Sequence, residues 1–197
     1  MKVVVIKYNA GNIRSVLFAL ERIGVNAVVT DDHEAIRSAD RVIFPGVGEA
    51  SSAMNYLKQK GLDRLICSLT QPVLGICLGM QLMCAFSEEN NTECLGIFDQ
   101  QVRLFPSNGF KIPQIGWNNI TDLKSALFQD VDENSYMYFV HSYYVEKCEN
   151  AIAITNYISE YSSAVHKNNF YAVQFHPEKS GEAGQKILEN FIFNIKD

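Results

Sequence analysis

Val3 to Ile6 is an unbroken β-branched run, the pattern of a strand covered on both faces. The period then changes. Ile13, Val16, Leu17, Leu20 and Ile23 recur at helical spacing, with Asn12 ahead of them as a cap and Gly24 placed to stop the helix. Asn26 to Thr30 and Arg41 to Phe44 are further strand candidates, the second running into Pro45-Gly46-Val47-Gly48. Helical patterns over Glu49 to Lys60 and Leu62 to Leu69 are separated by Gly61. Pro72 to Ile76 is the next strand, and Leu78 to Phe86 is expected to be helical. This alternation of strand and helix predicts a parallel sheet with helices on both faces.

After about residue 95 the pattern shifts to strands with little helix between them. The candidates are Val102 to Phe105, Ile115 to Ile120, Tyr136 to Val145, Ala151 to Ile158, Ser163 to His166 and Phe170 to Phe175. Lys167-Asn168-Asn169 is a hairpin turn between the last two, because Asn tolerates positive φ. Glu182 to Ile195 closes the chain as an amphipathic helix with Ile187, Leu188, Phe191 and Ile195 on one face. With no repeat, low-complexity tract or linker, the expectation is one α/β domain over residues 1–197, mostly parallel at first and more antiparallel later.

Composition narrows the function classes. The chain has 197 residues, 47% hydrophobic and 20% charged, which suits a globular domain. Its net charge is −5 and its basic residues are scattered, so neither a nucleic acid nor a membrane surface is expected as a partner. The start MKVVVIKYN lacks a long apolar core and a cleavage site, so it is read as a strand and not as a signal peptide. No apolar run approaches the ~20 residues that span a bilayer. Five cysteines, an odd number, fit reduced thiols in a cytoplasm. Four of them (Cys67, Cys84, Cys94 and Cys148) sit in apolar or loop contexts. No His/Cys cluster has metal-ligand spacing, so no metal is expected.

The fifth cysteine is placed differently. Gly75-Ile76-Cys77-Leu78-Gly79 lies where a strand hands over to a helix, with a thiol between two glycines. A nucleophile on a sharp strand-to-helix turn needs such neighbours, because its backbone is strained and flanking side chains would collide with nearby chain. The helix start would favour the thiolate over the thiol, and the N–H of Leu78 would face an oxyanion forming on a substrate. Taken alone, the pentapeptide also fits an inert buried cysteine.

A thiolate nucleophile wants an imidazole, and the chain has four histidines. His33, at a polar helix start, and His166, beside the Asn-rich turn, are expected to be solvated. His141, ending the run Tyr138-Phe139-Val140, is a core or a pocket residue. His176 lies in QFHPEKS, just after a strand, with Glu178 two residues on. In extended chain these two side chains share a face, so Glu178 can accept from the imidazole and fix its tautomer. The set Cys77, His176 and Glu178 then forms a relay of nucleophile, base and orienter.

GICLGMQ (75–81), FPGVGE (44–49), YFVHSYY (138–144) and QFHPEKS (174–180) together resemble class I, or triad, glutamine amidotransferases. YNAGNIRSV (8–16) and KIPQIGWN (111–118) make the chain most similar to the glutaminase subunits of imidazole glycerol phosphate synthases. The resemblance implies a flavodoxin-like three-layer sandwich and a set of roles. Cys77 would attack glutamine, His176 would act as base and then protonate departing ammonia, and Glu178 would orient it. The N–H groups of Val47 and Leu78 would form an oxyanion hole, the first only after the PGVG peptide turns inward. Gly46 and Gly48 would line the glutamine site and let that peptide rotate. Gln81, Ser142 and Tyr143 would hold the glutamine's α-amino and carboxylate groups. No cofactor is implied.

The implied partner is a (β/α)₈-barrel cyclase in a heterodimer. Asn12, Trp117, Asn118 and Lys179 would lie at the contact, the plainer alternative for Trp117 being a core tryptophan. Lys7 and Gln114 depart from the family pattern, which frequently has aspartate and histidine at these positions. A glutaminase serving another synthase, such as one amidinating a surface sugar, is the alternative reading.

Overall fold

The computed structural model describes residues 1–8, 13–107 and 109–195. In chain order the first half runs β1 (Val3–Ile6), α1 (Ile13–Arg22), β2 (Val28–Thr30), α2 (His33–Arg37), β3 (Arg41–Phe44), α3 (Ala50–Lys60), α4 (Leu62–Cys67), β4 (Val73–Ile76) and α5 (Leu78–Met83). Then come β5 (Phe86–Ser87), β6 (Thr92–Glu93), β7 (Gln101–Leu104), β8 (Gln114–Asn119), β9 (Tyr136–His141), β10 (Tyr143–Glu146), β11 (Ala151–Asn156), β12 (Glu160–Lys167), β13 (Phe170–Val173) and α6 (Gly181–Glu189).

The main sheet has the order β2-β1-β3-β4-β13-β12-β10-β7-β5-β6, with β11 paired on β12. The first five strands are mutually parallel, and β12, β10 and β7 continue antiparallel. Val3 and Val5 pack into one apolar core with α1 and α6, while Val4 and Ile6 pack into a second core with α2, α3, α4 and α5. The β-branched run is thus covered on both faces, and the chain forms the expected three layers. β8 and β9 form a separate two-stranded antiparallel sheet.

Several boundaries differ from the sequence reading, each for a local reason. The helix after Cys77 ends at Met83, not Phe86, because the carbonyls of Leu82, Met83 and Cys84 accept from the backbone of Leu95, Phe98 and Gly96. Tyr136 to Val145 is two strands, not one. The chain leaves β9 at His141 and crosses through Ser142 into β10 of the main sheet. The last helix stops at Glu189 and continues as a π-helical turn, Asn190–Asn194, where the buried Asn190 amide donates to the carbonyls of Leu127 and Gln129. α2 begins at His33, where a polar helix start was expected, and Asp32 caps it by accepting from the Ala35 N–H. Asn12, expected as the cap of α1 and as a partner contact, lies outside the described residues.

Candidate active site

Three neighbouring parallel strands, β3, β4 and β13, end on the same side of the sheet. Chain continuing from β3 is Pro45 to Gly48, from β4 Cys77, and from β13 Gln174 to Glu178. Parallel pairing therefore brings together segments about a hundred residues apart, at the carboxyl edge where open α/β sheets bind ligands. The Cys77 N–H donates to the Val173 carbonyl at 2.8 Å, which fixes the cysteine segment to the histidine segment.

Cys77 has φ 52° and ψ −108°, a left-handed conformation that side chains rarely adopt. The glycines around it answer to close approach. A Cβ on Gly79 would overlap the Phe44 carbonyl oxygen, and one on Gly75 would meet Met83 Sδ at 2.9 Å and the Gly79 carbonyl carbon at 3.1 Å. The elbow thus folds α5 back onto β3 and β4 at backbone distance. The thiol is almost buried, with its sulfur 3.8 Å from the Val140 carbonyl and 3.6 Å from Gln174 Nε2.

His176 Nδ1 donates to Glu178 Oε1 at 2.9 Å, and their side chains are 3% and 1% exposed. Cys77 is the other group that acts on this imidazole. The geometry differs from the expected extended pair. Pro177–Lys179 is a 3₁₀ turn with Pro177 at its first position, and the turn, not strand alternation, swings Glu178 back to the imidazole. α6 packs closely on that turn, since a Cβ on Gly184 would overlap the Pro177 carbonyl oxygen. Burial pulls the His176 pKa down, but hydrogen bonds and charge from Cys77 and Glu178 outweigh it and push it up to about 10.

The Leu78 N–H is engaged: it donates to the Gly46 carbonyl at 3.3 Å. The Gly46–Val47 peptide thus turns its oxygen, not the Val47 N–H, toward the elbow. The buried Tyr8 hydroxyl donates to the Pro45 carbonyl, and a Cβ on Gly46 would overlap that hydroxyl. Burial first, and then the nearby Cys77 charge, push the Tyr8 phenol well above its ordinary range. Gly48 has φ 122°, a backbone value open only to glycine, and its surroundings are empty.

A cavity of about 320 Å³ opens over the thiol. Its lining brings together nine of the residues singled out from sequence: Val47, Gly48, Cys77, Leu78, Gln81, Ser142, Tyr143, His176 and Lys179. Gly46 and Glu178 lie behind it, lining a small recess with Val16 and Ile76. His141 proves to be a pocket residue. Its Nδ1 donates to the Tyr143 carbonyl at 2.8 Å, and burial, together with the charge of His176, pulls its pKa down to about 4. The sequence reading missed Glu89, Pro113 and Val140 in the lining, and Gln174 beneath it. Glu89 carried no motif signal. It reaches the cavity because its carboxylate accepts from the Ala50 N–H at the start of α3, and burial raises its pKa. Gln174 stood inside a quoted motif, but nothing in the sequence showed which way its side chain turns.

His33 and His166, expected to be solvated, are half-buried. His33 bonds the Lys60 carbonyl, and His166 stacks on Tyr171 with ring centroids 4.1 Å apart. Beside the cavity mouth, the outer face of the β8–β9 sheet exposes Ile115, Trp117, Tyr136 and Val140. Trp117 is 56% exposed and meets Tyr138 edge-on, so it is no core residue. Lys179 is exposed with its Nζ 5.9 Å from the Tyr138 ring. Asn118 is turned inward, donating to the Asn156 carbonyl and accepting from the Asn119 N–H. This sheet is tied to the histidine segment, because His176 N–H donates to the Tyr138 carbonyl and Tyr138 N–H to Ser180 Oγ, both at 2.9 Å. Among the described residues no helix is long and apolar enough to cross a membrane.

A cysteine on a strained elbow, a buried imidazole paired to a carboxylate and a small cavity of mixed polar and apolar lining above them form an arrangement suited to acyl transfer through a thioester. Comparison with known proteins agrees. The chain is 60% identical over 194 residues to the imidazole glycerol phosphate synthase subunit HisH of Bacteroides fragilis strain YCH46, covering 98% of this chain and 99% of that protein. It is 46% identical over 196 residues to the subunit of the same name from Haemophilus influenzae strain KW20, with 99% and 98% covered. A crystal structure of a glutamine amidotransferase superposes with a TM-score of 0.74 at 16% identity, covering 95% of this chain and 98% of the other, a likeness of fold. The family model of class-I glutamine amidotransferases matches residues 4–195, and the chain belongs to that family.

Proposed function

We propose that this chain, as one amidotransferase domain over residues 1–197, is the glutamine-hydrolysing subunit of an imidazole glycerol phosphate synthase. The observation that carries this reading is the His176–Glu178 pair at 2.9 Å, buried against Cys77 beneath a cavity of glutamine's size. The Cys77 thiolate attacks the side-chain amide carbon of glutamine, and the carbonyl π electrons move onto oxygen. Protonated by His176, the amide nitrogen leaves as ammonia and a glutamyl thioester remains. His176 then takes a proton from water, whose oxygen attacks the thioester and releases glutamate and the thiolate. Glu178 holds the imidazole in one tautomer throughout.

Glu89, the carboxylate on the lining, suits the substrate's α-ammonium, with Gln81, Ser142 and Tyr143 beside it. The oxyanion needs the Leu78 N–H, so the Gly46 carbonyl has to swing away, and the same peptide rotation turns the Val47 N–H inward. One missing oxyanion donor costs on the order of 10²–10³ in rate, so this resting arrangement is an off state. The apolar face around Trp117, with Lys179 beside it, is where a barrel cyclase partner docks over the cavity mouth, and ammonia passes from the cavity to that partner in the cytoplasm. The two subunit relatives at 60% and 46% identity support the histidine-pathway reading over a sugar-amidinating synthase.

The test is glutaminase turnover by the free chain and by the chain with a barrel cyclase and its nucleotide, together with labelling by a diazo-ketone analogue of glutamine. Turnover should rise strongly in the loaded complex, and the label should fall on Cys77. Cys77→Ser should abolish glutamine hydrolysis yet leave ammonium-driven synthesis by the complex intact. A Cys77→Ser complex that still hydrolyses glutamine would refute the proposal.

A further inference from the structure

A side-chain amide can face either way, and its direction matters when one end touches a nucleophile. Beside Cys77 the direction is set by a group that cannot turn. The Tyr143 backbone carbonyl, which can only accept, takes a hydrogen bond from Gln81 Nε2 at 3.0 Å and another from His141 Nδ1 at 2.8 Å. Gln81 must therefore present its NH₂ on that side, and the second N–H of the same nitrogen reaches Gln174 Oε1 at 3.0 Å. Gln174, its oxygen occupied by Gln81, turns its own NH₂ to the Cys77 sulfur at 3.6 Å. Gln174 is fully buried and Gln81 is 4% exposed, so solvent does not compete for these bonds. Reversing Gln174 would face NH₂ against NH₂ and point a carbonyl lone pair at the sulfur, and reversing Gln81 would set its oxygen against the Tyr143 carbonyl and Gln174 Oε1.

We infer that Gln174 is a positioning residue for the nucleophile, its amide held by Gln81 and the Tyr143 carbonyl so that an N–H is always aimed at the Cys77 sulfur. The inference rests on Cys77 being the nucleophile. An N–H directed at sulfur favours the thiolate and restrains the sulfur toward the cavity. His176 serves the sulfur from its other side, as base and acid. Because Gln81 and Tyr143 line the cavity, glutamine bound there leans on the same two groups that orient the donor, which joins pocket occupancy to the state of the thiol. Tyr8 and Tyr161 also lie near this sulfur, and burial pushes both up, so they stay protonated through an ordinary assay range, while Glu89, His141 and Lys179 share the cavity lining with it.

The test uses the full chain with its cyclase partner. Chloroacetamide alkylation of Cys77, followed by peptide mass spectrometry across pH, reads the thiolate directly. Gln174→Met keeps the bulk and removes the donor. Its alkylation profile should move to higher pH by about one unit, as for a lost hydrogen bond to a charged group, and kcat should fall roughly tenfold with KM little changed. Gln81→Met does not touch the sulfur, yet it frees Gln174 to turn and should move the profile the same way by a smaller amount. A merely structural glutamine would not shift a titration. An unmoved profile in Gln174→Met overturns the inference. Should that variant fail to fold, an unmoved profile in Gln81→Met overturns it equally. Wild-type complex that alkylates normally at Cys77 but hydrolyses no glutamine would defeat the function reading and leave this relay standing.

Discussion

Glu178→Gln isolates the carboxylate's charge while keeping the shape of the pair. In the native protein Nδ1 of His176 meets Glu178 Oε1 at 2.9 Å with both side chains buried, and the imidazole pKa stands at about 10. A hydrogen bond to a charged group is worth roughly 1.5–3 kcal/mol, or about one to two pH units. The amide can still accept from Nδ1, so the tautomer survives while the imidazolium loses its partner. In the proposed reaction the alkaline limb of kcat, where the imidazolium that protonates the departing amide nitrogen is lost, should therefore fall from near pH 10 by about one to two units. The rate at its optimum should drop less than in His176→Ala. Stability carries the same sign. A histidine raised from an ordinary 6.5 to about 10 stabilises the fold fully below pH 6.5 and loses that contribution as pH climbs through 10. Wild-type melting temperature should thus decline between pH 6.5 and 10 more steeply than that of the variant. Turnover across pH and thermal melts at pH 6 and 10 decide the matter. Superimposable profiles for the two proteins would show that Glu178 does not set the charge state of His176.

Three further substitutions test other parts of the site. Cys77→Gly should abolish glutamine hydrolysis yet raise the melting temperature by a few degrees, since relief of the strain at φ 52° is worth about 1–3 kcal/mol against about 1 for glycine's freedom. Gly46→Ala should cost about 1–3 kcal/mol by overlap with the Tyr8 hydroxyl, and Tyr8→Phe should recover part of it, so that a double-mutant cycle by urea unfolding shows clear coupling. Trp117→Ala should leave stability within about 0.5 kcal/mol, the indole being 56% exposed, while weakening cyclase binding at least tenfold by calorimetry.

The parallel half of the fold was legible because its buried strands are short, mostly apolar runs and because α1 and α3 each end ahead of a glycine with positive φ. Gly61 ends α3 with φ 66°, and Asn168 turns the last hairpin with φ 56°. The placing of Cys77 beside the His176–Glu178 pair was legible for a different reason: elbow glycines and the Pro-Glu pair are short-range constraints written in adjacent residues. What escaped the sequence is set by distant partners. No local signal shows that Tyr136 to Val145 divides between two sheets, because the break at Ser142 is dictated by where β7 and β8 lie. Nor could QFHPE reveal that Glu178 reaches His176 through a 3₁₀ turn held by α6. Gln174 and Glu89 acquire their positions only when β13 and α3 are placed, so their residue types alone said little.

The backbone bonds around His176 explain how a surface outside the cavity can bear on chemistry within it. Tyr138 belongs to β9, whose outer face carries the exposed aromatic patch, yet its carbonyl holds the His176 N–H and its N–H is held by Ser180. Ser180 in turn donates to the His176 carbonyl at 2.6 Å. In the proposed complex, a partner pressing on Trp117 and Tyr138 would press on the backbone of His176, the proposed base, one turn from Lys179 at the mouth. On the opposite flank the Gly46 carbonyl needs to give up only one long hydrogen bond, worth about 1 kcal/mol, to free Leu78. Under the proposed function a small interface energy would suffice to shift that balance, and linkage then requires that glutamine, if it favours the open peptide, tighten the partner's grip in the same proportion.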